Sequence, residues 1–283
     1  MELSLQKLLP ATGMILSSAL PLAGLLLGLG LFSRWHRGAY DQTLRTNVAR
    51  LRARSWLAAD ALLLLFAIML PMISAVLTWF QQDTSAGPEQ TDMRQLVPYM
   101  VYYALLLLGV GMAAQRTALG IAAVMGISRD RCWPAIRTGV ILGLAMLPPV
   151  LLTAGLADSI GQWLGTPPSR QAVFDVLNAP DLNVMVQASL FFMAVVAAPL
   201  VEEAVFRGIL LPLILRTRGL LVALLLVNVL FALLHLHAPS FLPLLAVGVC
   251  LSLGMLATGS VLTPIVMHAI FNAEMLLLFY AWP

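Results

Sequence analysis

Apolar residues in this chain come in long unbroken runs, with polar residues collected in the short stretches between them. One membrane crossing by a helix takes about 20 largely apolar residues. By that measure the runs predict about eight spanning helices, at roughly 11–33, 57–80, 96–114, 136–157, 184–215, 219–237, 241–258 and 261–281. No internal repeat, low-complexity tract or appended soluble domain interrupts the series. The expected fold class is an all-α, polytopic membrane helix bundle.

The polar stretches orient the bundle. The connection after the first run carries Arg34, Arg37, Arg45, Arg50, Arg52 and Arg54 against the single acid Asp41, and Arg116, Arg129, Arg131 and Arg137 mark a second basic connection. The positive-inside rule puts both on the cytoplasmic side and the N-terminus outside. The stretch 81–95, with Asp83, Glu89, Asp92 and a Gly87-Pro88 turn signal, fits the outside. So does 158–181, with Pro167, Pro168, Pro180 and a short amphipathic piece around 173–177. Arg216 and Arg218 close the fifth run at the inner face, where Gly219 supplies a helix C-terminal cap. The first run ends in Arg34, Trp35, His36 and Arg37 without a small-residue cleavage site, so it reads as a retained helix rather than a signal peptide.

Composition agrees with this reading. The 283 residues are 60% hydrophobic and 10% charged, against about 25% charged in a soluble domain, and the mean hydropathy is +0.93. The net charge of +3 comes from arginines acting as topology signals, so the expected partner is the lipid bilayer of a plasma or inner membrane, and nucleic acid is not. Cys132 and Cys250 are isolated, without CxxC spacing, and imply neither a disulfide framework nor a thiolate metal site. The 14 methionines are core or lipid-facing filler with no copper-site spacing.

Against this apolar background a few charges stand inside the runs. The sequence VEEAVFRG at 201–208 places Glu202, Glu203 and Arg207 between the apolar stretches 190–200 and 209–215. A charge at that depth costs about 2.5–3.5 kcal/mol on insertion scales. Glu203 and Arg207, at i and i+4, share a helix face and are placed to form an ion pair. Glu202 lies about 140° from Arg207 around the helix, which leaves its carboxylate freer to act on something in the bundle. The structural alternative is that all three charges hold helices together.

Two further pieces carry chemistry. In FALLHLH at 231–237, expected within the sixth helix, His235 shares a face with Phe231 and Asn228, which would give it an aromatic wall and a polar mouth. If the fifth and sixth helices turn near Arg218, Glu202 and His235 are 16 and 17 residues from that turn. Both then lie about 25 Å from it, level enough to share a proton or a water; otherwise His235 is a hydrogen-bonded packing residue. His237, beside Pro239, is expected at the interface. In HAIFN at 268–272, His268 and Asn272 share a face and offer two donors that could aim at one oxygen, as in an oxyanion hole. His268 is only eight residues from Ser260, so it reaches the level of His235 only if the last helix starts deeper or the stretch 258–264 is re-entrant. Glu274 is expected to make a structural hydrogen bond to a neighbouring helix.

These motifs, in order and without substitution, resemble those of the CPBP intramembrane proteases, the group that includes type II CAAX prenyl proteases and Abi-type or bacteriocin-immunity proteins: EExxxR as Glu202-Glu203-Arg207, FxxxH as Phe231-His235, and HxxxN as His268-Asn272. The resemblance covers about 184–280, so residues 184–283 are expected to form the catalytic helix bundle and 1–183 to add spanning helices with basic inner loops. It implies that Glu202 is the general base that activates water, that His235 shares this water, and that His268 with Asn272 stabilises the oxyanion. Glu203, Arg207 and Phe231 would support the site. The implied activity is an endopeptidase acting on a membrane-embedded or membrane-associated peptide or protein, prenylated and CAAX-type among the candidates, with its active site open toward the cytoplasm. No cofactor is favoured. There is no HExxH, but two histidines and a carboxylate with an open position make a catalytic zinc set, and His235, His268 and Glu202 would supply it. The competing readings are a non-proteolytic scaffold or immunity protein on the same fold, and a transporter using Glu, His and Arg as a proton relay.

Overall fold

A computed structural model describes residues 5–38, 41–81, 93–166, 176–177 and 182–281. They are all-helical, with no strand among them. The helices are α1 (Leu5–His36), α2 (Asp41–Arg52), α3 (Ala58–Gln81), α4 (Met93–Gln115), α5 (Gly120–Val124), α6 (Arg129–Trp163), α7 (Val184–Arg218), α8 (Leu220–Leu233), α9 (Phe241–Thr258) and α10 (Leu262–Ala281). Each expected run is helical. Five stretches, α4, α6, α7, Ala238–Thr258 and Leu262–Tyr280, are long and apolar enough to cross a membrane, and Ala19–Arg34, Ala58–Leu70 and Leu220–Leu233 are shorter apolar helices. The chain is an integral, multi-pass membrane protein. Residues 82–92 of the acidic connection expected at 81–95, and 173–175 of the amphipathic piece expected at 173–177, lie outside the described residues; Val176 and Leu177 are helical.

Helix α2, inside the first basic connection, is an element the apolar runs did not announce. Leu44, Val48 and Leu51, at i, i+4 and i+7, form its inward stripe. Asn47, on the same side, donates from Nδ2 to the carbonyls of Leu256 (3.1 Å) and Ala257 (2.8 Å). Those are carbonyls at the C-terminal end of α9, which have no partner within their own helix. Gly259, at φ +70°, ends α9 in the left-handed conformation, where glycine carries no Cβ penalty. Its carbonyl accepts from Arg54 Nη2 at 2.6 Å, and burial pushes the Arg54 guanidinium down to about 10, still charged at neutral pH. Gly126 approaches the same carbonyl so closely that a side chain there has no room.

The turn between α9 and α10 is therefore roofed over. The Val261 N–H donates to the Met125 carbonyl at 3.0 Å, and Ser260, Val261 and Thr263 are buried, so α10 begins inside the end of the bundle rather than at its rim. Arg216 donates to the carbonyls of Arg54 (3.3 Å) and Trp56 (3.1 Å), and Arg116 pairs with Asp60. Connections far apart in sequence but rich in arginine thus meet at one end of the molecule, as alternating spans require.

Helix α6 is the post against which α1, α9 and α10 pack. Its glycines permit the close approach to α10: a Cβ at Gly139 would sit 2.9 Å from the Thr263 carbonyl oxygen, and one at Gly143 would sit 3.2 Å from Ile270. Small residues at this spacing let membrane helices approach backbone to backbone.

Helix α8 is shorter than expected. It stops at Leu233, and the N–H groups of His235 and Leu236 fold back onto the carbonyls of Ala232 and Leu233 in a turn. Leu236 has φ +49°. His235 therefore sits in the turn after α8, not within it, at the tip of the α8–α9 hairpin.

Candidate active site

Helix α7 carries the paired glutamates and is not a uniform α-helix. It widens into π-helical turns at Met193–Ala197 and Ala204–Leu210, and each ends just before a proline, Pro199 or Pro212. Such widened turns recur at functional positions in helices. In the first, the Ala198 N–H donates to the Met193 carbonyl, so the next bond in that register would run from residue 199 to the Ala194 carbonyl. Pro199 cannot make it. Asn272 on α10 does so instead, donating from Nδ2 to the Ala194 oxygen at 2.7 Å.

Glu203 is the centre of a sealed cluster. Its Oε1 accepts from Arg207 Nη1 and from His268 Nδ1, both at 2.9 Å, with Glu203 and Arg207 fully buried. The i, i+4 ion pair expected from the sequence is present. Arg207 Nη2 donates to the Gly248 carbonyl (3.0 Å) and to Asn228 Oδ1 (3.4 Å), and Asn228 Oδ1 also accepts from Ser252 Oγ at 2.8 Å. The guanidinium carbon lies 4.5 Å from the centroid of the Phe231 ring, a contact worth about 2 kcal/mol or more when desolvated. The same ring meets His235 (4.8 Å) and His268 (5.9 Å) edge-on and packs against Phe206 at 5.4 Å. Phe231 is thus the common neighbour of all three motifs.

Glu202 has different surroundings. It is only partly buried, its Oε2 has no hydrogen-bond partner among the described residues, and it lies within electrostatic reach of Arg207 and of Tyr102 and Tyr103 on α4. The two histidines are oriented by their acceptors. His235 Nδ1 lies 2.8 Å from the Phe231 carbonyl, which can only accept, so this nitrogen carries the hydrogen and Nε2 keeps its lone pair in the neutral ring. His268 Nδ1 faces a carboxylate in the same way, and its Nε2 is likewise left for other work.

The structure therefore brings Glu203, Arg207, Phe231, His235 and His268 together, with Glu202 beside them. Asn272 uses one of its two Nδ2 hydrogens on α7, and His268 is held through Nδ1 by Glu203. The depth shortfall of His268 closes because α10 starts beneath the roofed turn. Asn228 is not a mouth to the site but a fully buried acceptor for Arg207. Ser252 and the Gly248 carbonyl were not anticipated, although a glycine and a serine at i, i+4 on an otherwise apolar helix are a visible polar notch. His237 stays outside, bonded to the Ser240 hydroxyl at 2.7 Å. Glu274 is buried, with neither oxygen hydrogen-bonded among the described residues, so the bond expected for it is not found. Among the described residues no group of three His, Cys, Asp or Glu stands in the arrangement of a metal site.

Spanning helices closed around a buried carboxylate, guanidinium and imidazole cluster define a membrane protein with an intramembrane polar centre. Residues 185–273 match the family model of the type II CAAX prenyl endopeptidase Rce1-like proteins. That segment, less than half of the chain, contains all three motifs, and the model it matches belongs to the group those motifs resemble. No curated protein and no solved structure is significantly similar to the chain.

Proposed function

We propose that this protein is an intramembrane endopeptidase that hydrolyses a peptide bond with a water activated by Glu202, its substrate a membrane-associated, prenylated CAAX-type peptide. The catalytic unit is 184–283, braced by α1 and α6. The observation that carries the reading is the unequal state of the two glutamates: Glu203, fully buried, is held through Oε1 by Arg207 and His268, while Glu202, next to it and only partly buried, makes no hydrogen bond or ion pair with a described residue.

In this scheme Glu202 takes a proton from water while His235 Nε2 helps to hold that water, and the oxygen adds to the scissile carbonyl. The tetrahedral oxyanion is met by His268 Nε2, which donates when the ring carries both protons. The proton then passes from Glu202 to the leaving amine, and the C–N bond breaks. Arg207 and Phe231 hold Glu203 and the two rings in place. Asn272 serves by fixing α10 to α7 rather than by touching the oxyanion. No step is routed through a metal. The arginine-rich end is proposed to be cytoplasmic and the site to be reached from that side.

The test is cleavage of membrane peptides by purified protein in proteoliposomes, with the cut ends read by mass spectrometry. Glu202→Gln, His235→Ala and His268→Ala are each expected to abolish cleavage while the protein still folds, and exhaustive chelation is expected to leave the wild type active. Cleavage that persists in all three variants would place the activity on other residues, and a wild type that cuts nothing, with a phenotype indifferent to all three substitutions, would point to a scaffold. Activity lost on chelation and restored by zinc would overturn the metal-free scheme.

A further inference from the structure

Away from the glutamate cluster a cleft of about 580 Å³ opens between α1, α2, α6 and α9, within the size range of a small-molecule site. None of Glu202, Glu203, Arg207, His235 or His268 lines it. Its walls are apolar, with Leu31 and Phe32 from α1, Ile141, Ala145 and Pro149 from α6, and Leu253 from α9 among them. The groups of opposite character are gathered at one end: Arg34, Arg137, Thr43 and Thr138. That end is the arginine-rich end of the bundle, where α2 lies and donates to the end of α9.

We propose that this cleft binds one anionic phospholipid, with the phosphate on Arg34 and Arg137 and an acyl chain lying along α6. Charge complementarity selects the headgroup: two exposed guanidiniums, flanked by two threonine hydroxyls, face the same mouth, no carboxylate lines the cleft, and Arg137 has no ion pair with a described residue. Arginine is the side chain best suited to phosphate oxygens. Length selects the tail. From Arg137 to Pro149 the α6 wall rises about 18 Å, close to one leaflet, or half of a hydrocarbon core roughly 30 Å thick. An apolar groove of one leaflet's depth with cations at its headgroup end fits a lipid of the surrounding bilayer. At its floor is Met267, the residue before His268, so the bound chain would back the wall that holds the catalytic imidazole.

The experiment loads delipidated full-length protein into nanodiscs of phosphatidylcholine with a minor fraction of phosphatidylglycerol, re-extracts it in mild detergent and quantifies the retained lipid by mass spectrometry. The wild type is expected to retain phosphatidylglycerol several-fold above its share of the bilayer. Arg34→Gln with Arg137→Gln should bring retention down to the bulk ratio. Arg129→Gln with Arg131→Gln, which removes equal charge from the same end but not from the cleft, should leave it unchanged. Leu253→Trp, which fills the cleft without altering its charge, should lower total retained lipid. Retention at the bulk ratio in the wild type overturns the proposal, as does equal retention in the two double variants, which would indicate a diffuse surface effect. Preferential capture of an added farnesylated peptide over phosphatidylglycerol would reassign the cleft to substrate. These readouts need no proteolysis, so they stand whether or not the proposed activity is found.

Discussion

Removing the charge of Glu203 leaves Arg207 fully buried with only carbonyl and amide oxygens around it, and takes from His268 the acceptor that orients it. Breaking one partner out of a buried pair costs about 3–5 kcal/mol. Glu203→Gln is therefore expected to lower the detergent unfolding temperature and the yield sharply. Glu202→Gln loses no described partner, so its stability should stay within about 0.5 kcal/mol of wild type, while cleavage falls by a factor of about 10² to 10⁴, the span of a lost general base. Parallel thermal unfolding and cleavage assays check both, and a stable, active Glu202→Gln beside a stable, inactive Glu203→Gln would exchange their roles. The division between the two glutamates was legible in sequence, because i, i+4 spacing on a helix decides which one meets Arg207. The partner of His268 was not: it depends on how deep α10 begins, which is set by Asn47, Arg54 and Gly126 from distant connections.

At the scale of elements, the unexpected feature is the way α7 and α10 are tied. A π-turn leaves the Ala194 carbonyl waiting for a donor that Pro199 lacks, and Asn272 supplies it. Pattern reading sees Asn272 only as the fourth residue after His268, since nothing in apolar periodicity separates a π-turn from an α-turn. The hydrogen bond predicts a coupling. Asn272→Ala should destabilise the wild type by about 0.5–1.5 kcal/mol, the net contribution of such a hydrogen bond at a partly buried position. In a Pro199→Ala background the restored N–H can serve the same carbonyl, so the same substitution should cost measurably less. A double-mutant cycle on unfolding free energy reads the difference as an interaction term. If Asn272→Ala removes cleavage while leaving stability untouched in both backgrounds, Asn272 acts on the reaction and not on the helix tie. The α8 boundary is a second case: the apolar run continues through Leu236, but the helix ends at Leu233 and His235 sits in a turn, still beside Phe231.

For the whole molecule, the all-helical, multi-pass architecture followed from run length, while the short helices α2 and α5 did not, and the direction of the spans is an expectation from the arginines. The physical reason is that the bilayer permits little else: backbone polar groups inside it must be satisfied within each helix, and arginines are retained on the cytoplasmic side. The packing order did not follow, because α6 becomes the central post through glycines whose neighbours in space, Thr263 and Ile270, are more than a hundred residues away. Orientation can be tested without knowing the substrate. In a background with Cys132→Ser and Cys250→Ser, single cysteines replace Thr217 at the arginine-rich end of α7 and Thr166 beyond the far end of α6. Both side chains are exposed and bonded only to nearby carbonyls of their own segments, so the changes should be tolerated. A membrane-impermeant maleimide added to intact cells is expected to label Thr166→Cys at once and Thr217→Cys only after permeabilisation. The reverse pattern would turn the protein over in the membrane and place the arginine-rich end, with the proposed phospholipid cleft, in the opposite leaflet. Labelling of both from one side would break the alternation of spans on which the orientation of α7 rests.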